Sequence, residues 1–420
     1  MVLTSQRVVQ EVVLGGQTRC YLGSHSILLR AIIDVALHVR MSAKWTDTTL
    51  EITDKFSADT AIAIENLVTL RKLKEDFGKG IPQDPDIAEL IQQGRQWSDP
   101  RDMVYSILGL WDPAVTKELP PRLRVRLHDS VPNVYRSTTR YSLAHRDGPY
   151  ILHQVAHRSD GDLMLDGFPS WVPRWDLGTL DGKPHRLSNE FHAWKPWNAL
   201  VKPKDKCEDK EKDVLRMDGV LVDTVHKITD PLRSTDVRDP AKLLRFIRQA
   251  EEIAGSDVDA VAETLIAGCA NFFKIATHDD IVPFNTFREH LARLAGHQSP
   301  TVEGEENTTT SQPQLLPQAL PQGKRRKRYH RQLMTACLWR RFFITQNGHV
   351  GLGPRATKEG DVVVVLRNGP WPFVLRPLDD GQDERKYQLL GQAYVRGWMQ
   401  GEVVREVEEG KKRVGVFCMV

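Results

Sequence analysis

Apolar residues recur at helical spacing from Ile27 to Val39, with Arg30, Asp34 and His38 on the other side, which predicts an amphipathic helix. A second is expected over 58–77, where Ile62, Leu67, Leu70 and Leu73 lie near one stripe. Lys72 and Lys74 sit near its end, where cations suit the helix dipole. The opening RVVQEVVL reads as the end of a helix or another buried element. The segment SDPRDMVYSILGL carries the clearest helix start in the chain. Ser98 or Asp99 can cap, Pro100 suits the first helical position and Asp102 lies in the first turn. Val104, Tyr105 and Leu108 then supply a buried face, and Gly109 can end the helix. Further helices are predicted over 133–144, 240–252 and 258–274.

Elsewhere the period changes. VLRMDGVLVDTV from Val214 alternates and is expected to be a strand pair turning at Asp218-Gly219. Residues 147–200 hold Trp171, Trp175, Trp194 and Trp197 among Pro and Gly, a pattern of irregular structure packed over a core by large aromatics. Residues 298–322, poor in large apolar groups, read as a disordered linker followed by the basic run Lys324, Arg325, Arg326, Lys327 and Arg328. Short strands then return. FFITQ, the Asn347-Gly348 turn and HVGLG make a hairpin, followed by VVVVL, PFVLR and YQLLGQAYV, a rhythm that suggests a small barrel or sandwich.

Composition narrows the classes. The 420 residues are 40% hydrophobic and 27% charged, which describes a globular chain with more than one core. A net charge of +3, from 58 basic and 55 acidic residues, does not suggest a nucleic-acid coat or a membrane-surface protein. Five cysteines, far apart and never spaced CxxC, argue against a disulfide framework or a cysteine zinc site and fit a reducing compartment. Arg7 and Glu11 stand where a signal peptide needs its apolar core, and Arg30 and Asp34 interrupt the most apolar early stretch. A cytoplasmic location is expected, and the basic run offers a nuclear import element or a phosphate contact.

Three groups of residues carry a resemblance. Asp99, Pro100, Arg101, Asp102, Val104, Tyr105, Leu108, Gly109 and Leu110 form one; Pro169-Ser170-Trp171-Val172-Pro173 with Trp175 forms the second. The third is GLGP, Thr357, Gly360-Asp361, PFVLR and AYVRGWMQGE. In this order they resemble fungal heterokaryon-incompatibility proteins, in the elements DPRDKVYALLGL and PSWVPDW and in the end segment. The resemblance implies an upstream part, about one domain in size, containing an ALSYxWG motif. Read this way, the chain lacks that part and begins at the RxWxxQE element, of which Gln10 and Glu11 keep the pattern. Ser5 and Arg7 stand at the Arg and Trp positions.

The resemblance also supplies the sharpest chemical candidate. These domains are likened to TIR-type folds, where a glutamate serves nicotinamide-nucleotide cleavage; that implies Glu11 as a carboxylate set against a cation-like transition state. Other motifs have plainer readings. Arg101 and Asp102 could form an ion pair or bind a partner, but a first-turn Asp and a solvated Arg account for both without function. His153 and His157, four apart, lack the Glu of HExxH and a third ligand, and read as a surface pair. Gly351, Gly353 and Gly360 sit between strands, not before a helix, so turn glycines explain them better than a phosphate loop.

The expected fold is α+β. An N-terminal remnant of an α/β, TIR-like domain with helices occupies 1–112 and a mixed helical, aromatic-rich region 113–297. A disordered, basic-ended linker spans 298–332 and a small C-terminal β-barrel or sandwich 333–420. The function implied is non-self recognition and regulated cell death through other proteins as partners. No cofactor, metal, membrane, nucleic acid or small-molecule substrate is called for. The alternatives are a nucleotide-cleaving enzyme using Glu11, and a nuclear or nucleic-acid-binding module using the basic run.

Overall fold

A computed structural model describes residues 17–45, 71, 75, 99–108, 120–145, 149–157, 159–163, 167–177, 187, 190–194, 213–237, 239–255, 257–270, 274–296, 322–378 and 385–420. In chain order its main elements begin with a hairpin, β1 (Arg19–Leu22) and β2 (His25–Leu28), followed by helices α1 (Leu29–Trp45), α2 (Asp102–Leu108) and α3 (Val131–His145). Next come β3 (Leu215–Ile228), α4 (Pro240–Ala254), α5 (Val258–Leu265), α6 (Pro283–Gly296) and α7 (Gln322–Cys337). The chain ends with β4 (Arg340–Thr345), β5 (Val350–Pro354), β6 (Val362–Leu366), β7 (Pro372–Leu378), β8 (Lys386–Gln392), β9 (Tyr394–Val395), α8 (Glu402–Glu408) and β10 (Val414–Met419). The class is α+β, as expected.

The spine of the molecule is β3. It pairs with β10 along 215–220, with β6 along 219–224 and with β4 along 225–228. Following the pairings from β3 through β10, β8, β7 and β6 leads back to β3, so five strands close a barrel, and β4, β5 and β9 extend the sheet beyond it. The β8–β10 pair is parallel and the other pairs are antiparallel. All five residues of β6, Val-Val-Val-Val-Leu, are buried, as a strand covered on both faces requires.

Residues 215–225 are therefore part of one strand, not the strand pair expected. Gly219 stands opposite Gly415 on one side and Leu366 on the other. A Cβ there would lie 3.0 Å from the Val365 carbonyl oxygen and 3.1 Å from the Phe417 ring. The glycine admits close approach inside a strand and makes no turn. The sheet is also not confined to 333–420, because β3 comes from the region expected to be a separate middle domain.

Two apolar cores flank the barrel wall. In one, Val104 and Leu108 of α2, Tyr135 of α3, Trp171 and Trp175 pack with Val364, Leu366 and Leu389 from the barrel. In the other, α4, α5, α6 and α7 send Leu243, Ile247, Val261, Phe284, Phe287 and Leu333 against Phe342, Leu352 and Trp371. Helix α4 starts where Asp239 accepts from the Ala241 and Lys242 amides at 2.9 and 3.3 Å. Helix α5 ends at Leu265, short of 274, because Ala267 (φ 50°) and Gly268 (φ 59°) turn the chain into a short strand, Cys269–Ala270.

The basic run lies on a helix and not in a linker. The Tyr329 side chain is buried, and its hydroxyl donates to the Ala262 carbonyl at 2.7 Å. Arg328 reaches Asp280 at 3.1 Å. These contacts bind α7 to the helical core. The rest of the expected linker, 298–321, lies outside the described residues, as does nearly all of the helix expected over 58–77.

Candidate functional site

Gln10, Glu11 and Gly109 lie outside the described residues. The other helix-start residues form a structural knot. Asp99 accepts from the Arg101 amide at 2.9 Å and pairs with its guanidinium at 2.6 Å, so Arg101 is held in place and not simply solvated, while Asp102 lies in the first turn as expected. Arg101 also donates to the Leu127 carbonyl at 2.5 Å, and Tyr105 to the Arg126 carbonyl at 3.1 Å. The buried Tyr135 hydroxyl donates to the Pro100 carbonyl at 2.8 Å, and its ring stands 4.8 Å from that of Trp175.

Trp171 is fully buried, donates to the Asp213 carbonyl at 3.0 Å and carries the Arg140 guanidinium 4.9 Å from its ring centre. That is a packing role. His153 and His157 are buried, which overturns the surface pair. His153 Nδ1 donates to the Tyr150 carbonyl at 2.6 Å, and His157 Nε2 donates to the Ser170 carbonyl at 2.9 Å. Burial holds the pKa of His157 below the usual histidine value. Among the described residues no group of three potential ligands is placed to hold a metal ion.

Gly351 and Gly353 are not turn residues. Both lie within β5 beneath Phe343, and a Cβ on Gly351 would meet that ring and the Tyr394 carbonyl oxygen at 2.5 Å. Gly360, with φ 87°, does turn the chain.

The same turn leads to the cluster with the most distinctive chemistry. Asp361 is buried, receives Arg376 Nε at 2.9 Å and accepts the Lys358 amide at 2.6 Å. Burial raises its pKa against the pull of these partners. Arg376 also reaches Asp160 at 2.7 Å, and Lys358 meets the second oxygen of Asp160 at 2.5 Å. The bond from Lys358 lowers the pKa of Asp160, with Arg376 assisting.

In front of this network opens a cleft of about 510 Å³, whose walls include Asp160, Arg233, Trp339, Arg341, Arg355 and Lys358. Arg341 projects from β4 with Nε on the Arg355 carbonyl at 2.6 Å and Nη1 on the Thr229 carbonyl at 2.8 Å. Burial, with Arg233 adding to it, lowers the Arg341 pKa, while Asp230 opposes the shift. Trp339 adopts φ 61°, and its amide donates to the Leu232 carbonyl at 2.8 Å, which holds the strained turn in place. The Arg355 guanidinium lies 5.2 Å from the centre of the Trp339 ring.

Of the residues singled out in the sequence, Asp361 and Arg376, the last residue of PFVLR, adjoin this cleft through Asp160. The lining cations were not singled out, yet a signal exists in Trp339-Arg340-Arg341. Strand alternation sends the first arginine into the fully buried interior and the next to the cleft.

Residues 287–413 match the family model of the Het-6 beta-barrel domain. Strand β3, and β10 just beyond the match, complete the barrel from outside that range. The chain is also similar to heterokaryon incompatibility protein 6, OR allele, of Neurospora crassa, with 24% identity over 354 residues, or 73% of this chain. Both findings support the resemblance to fungal heterokaryon-incompatibility proteins. It spans about half (49%) of the length of that relative. No solved structure matches it. Among the described residues, no helix is long and apolar enough to cross a membrane.

Proposed function

We propose that the chain acts in heterokaryon incompatibility, as a non-self recognition element that leads to regulated cell death through contacts with other proteins. The observation that carries this reading is the similarity to the Neurospora protein over 73% of the chain, together with the matched barrel domain. The test is expression in a compatible pair of filamentous strains, scored for death of the fused compartments. Fusions as healthy as those of the empty-vector pair would remove the reading.

The finer parts of the proposal follow from the same likeness. Residues 1–112 belong with the α/β, TIR-like part of such proteins, and the chain acts by contact without turnover. Purified chain is then expected to consume no NAD above buffer, and Glu11→Ala to change nothing. Loss of NAD that disappears in that variant would make the protein an enzyme. The location proposed is cytoplasmic, with nuclear entry promoted by Lys324, Arg325, Arg326, Lys327 and Arg328. A fluorescent fusion with all five changed to Ala should lose nuclear signal, and an unchanged distribution would count against that role.

A further inference from the structure

We infer that the cleft between Arg233, Arg341, Arg355 and Lys358 is a binding site for a compact ligand carrying two or more clustered phosphate groups. Four cations from three separate stretches of chain converge there, and among the described residues the one lining carboxylate, Asp160, is already held by Lys358 and Arg376. Among the described residues, counting the braced row behind it and the nearby Asp230 and leaving Arg355 aside, four cations (Arg233, Arg341, Lys358, Arg376) face three carboxylates (Asp160, Asp230, Asp361). A cluster with excess positive charge repels itself until an anion occupies it.

The arrangement is built and not a loose surface patch. Two backbone carbonyls fix the Arg341 guanidinium in one orientation. Among the described residues no carboxylate comes within ion-pair distance of Arg341 or Arg233. Planar guanidinium forks recognise phosphate oxygens through paired hydrogen bonds, which favours arginine at such sites. Trp339 keeps a left-handed backbone at the cleft wall, a strain held by its amide bond to Leu232. The size favours a compact ligand over an extended nucleic acid or peptide, since about 510 Å³ falls in the range of small-molecule pockets.

The test is calorimetric titration of the full chain with inorganic tripolyphosphate, with ATP and citrate in parallel. The variant is Arg233→Gln with Lys358→Gln, two exposed side chains whose loss should leave melting nearly unchanged. Arg405→Gln, exposed on α8, controls for general loss of charge. The expected result is saturable tripolyphosphate binding, weaker by about tenfold or more in the double variant and unaltered by Arg405→Gln. ATP binding tighter than tripolyphosphate assigns a nucleotide that uses the Trp339–Arg355 wall, and equal or weaker binding assigns the phosphate chain alone. The inference is overturned by absence of saturable binding, by equal affinity in the double variant, by an equal loss in Arg405→Gln, or by citrate binding as tightly as tripolyphosphate.

Discussion

The Ser170 hydroxyl accepts the Leu389 amide at 2.9 Å and itself donates to the Val420 carbonyl, so one side chain fastens the tryptophan-rich segment to the neighbouring strands β8 and β10 of the barrel. The Ser170 amide reaches the same Val420 carbonyl at 2.9 Å. Ser170→Ala takes the hydroxyl acceptor from the amide of a fully buried residue. The expected cost is about 1–3 kcal/mol, read as a lower denaturant midpoint at unchanged slope. An unchanged midpoint would mean that the segment is held by its aromatics alone.

Leu108 and Tyr105 separate two ways of holding α2. Leu108 is 4% exposed within the first core, whereas Tyr105 is half-buried and bonds the Arg126 carbonyl. Leu108→Ala should destabilise by about 2–5 kcal/mol through lost burial and the cavity left behind. Tyr105→Ala should cost less, because part of its ring already meets solvent. Thermal melts of the two variants compare them, and the reverse order would contradict this packing.

What was legible in the sequence follows from how local each signal is. The helix expected over 133–144 appears as Val131–His145, and the Asn347-Gly348 hairpin as β4 and β5, because spacing and turn chemistry act within a few residues. Asp218-Gly219 carried the same local signal as a turn, but long-range pairing with β10 and β6 decided its conformation. The basic run looked solvated, yet the next residue, Tyr329, anchors its helix. The cleft was hidden for a related reason. Its lining comes from residues 159–160, 231–233, 339–341 and 355–358, which only the closed sheet brings together.

Glycines inside the sheet give a sharper test of the packing. Gly351→Ala places a methyl carbon where the Phe343 ring and the Tyr394 carbonyl oxygen leave 2.5 Å, and the backbone oxygen cannot swing away. The expected loss is about 1–3 kcal/mol, as for other overpacked cores. Gly348→Ala has open space around its Cβ and suffers only from its φ of 87°, about 1–2 kcal/mol. Gly351→Ala should also broaden the amide resonances of β4 and β9, which flank β5, whereas Gly348→Ala should disturb the hairpin turn alone.

The pair Asp361–Arg376 makes a prediction whose sign depends on burial. Asp361 is 2% exposed, and burial raises its carboxyl pKa above the ordinary aspartate value of 3.8 despite the Arg376 bond at 2.9 Å. The folded chain then binds this proton more readily than the unfolded chain does. Across the window from 3.8 up to the folded value, this group's contribution to stability falls as pH rises. Asp160, with its pKa lowered by Lys358 and Arg376, has the opposite slope, losing its contribution as pH falls through its folded value. Asp361→Asn removes the first effect and leaves the second. The stability of the wild type relative to Asp361→Asn should therefore be greatest at low pH and decline to a plateau above the folded Asp361 value. Urea denaturation of both proteins at several pH values from about 4 to 7 measures that difference. A difference that grows with pH would show that the ion pair with Arg376, and not burial, governs this carboxylate.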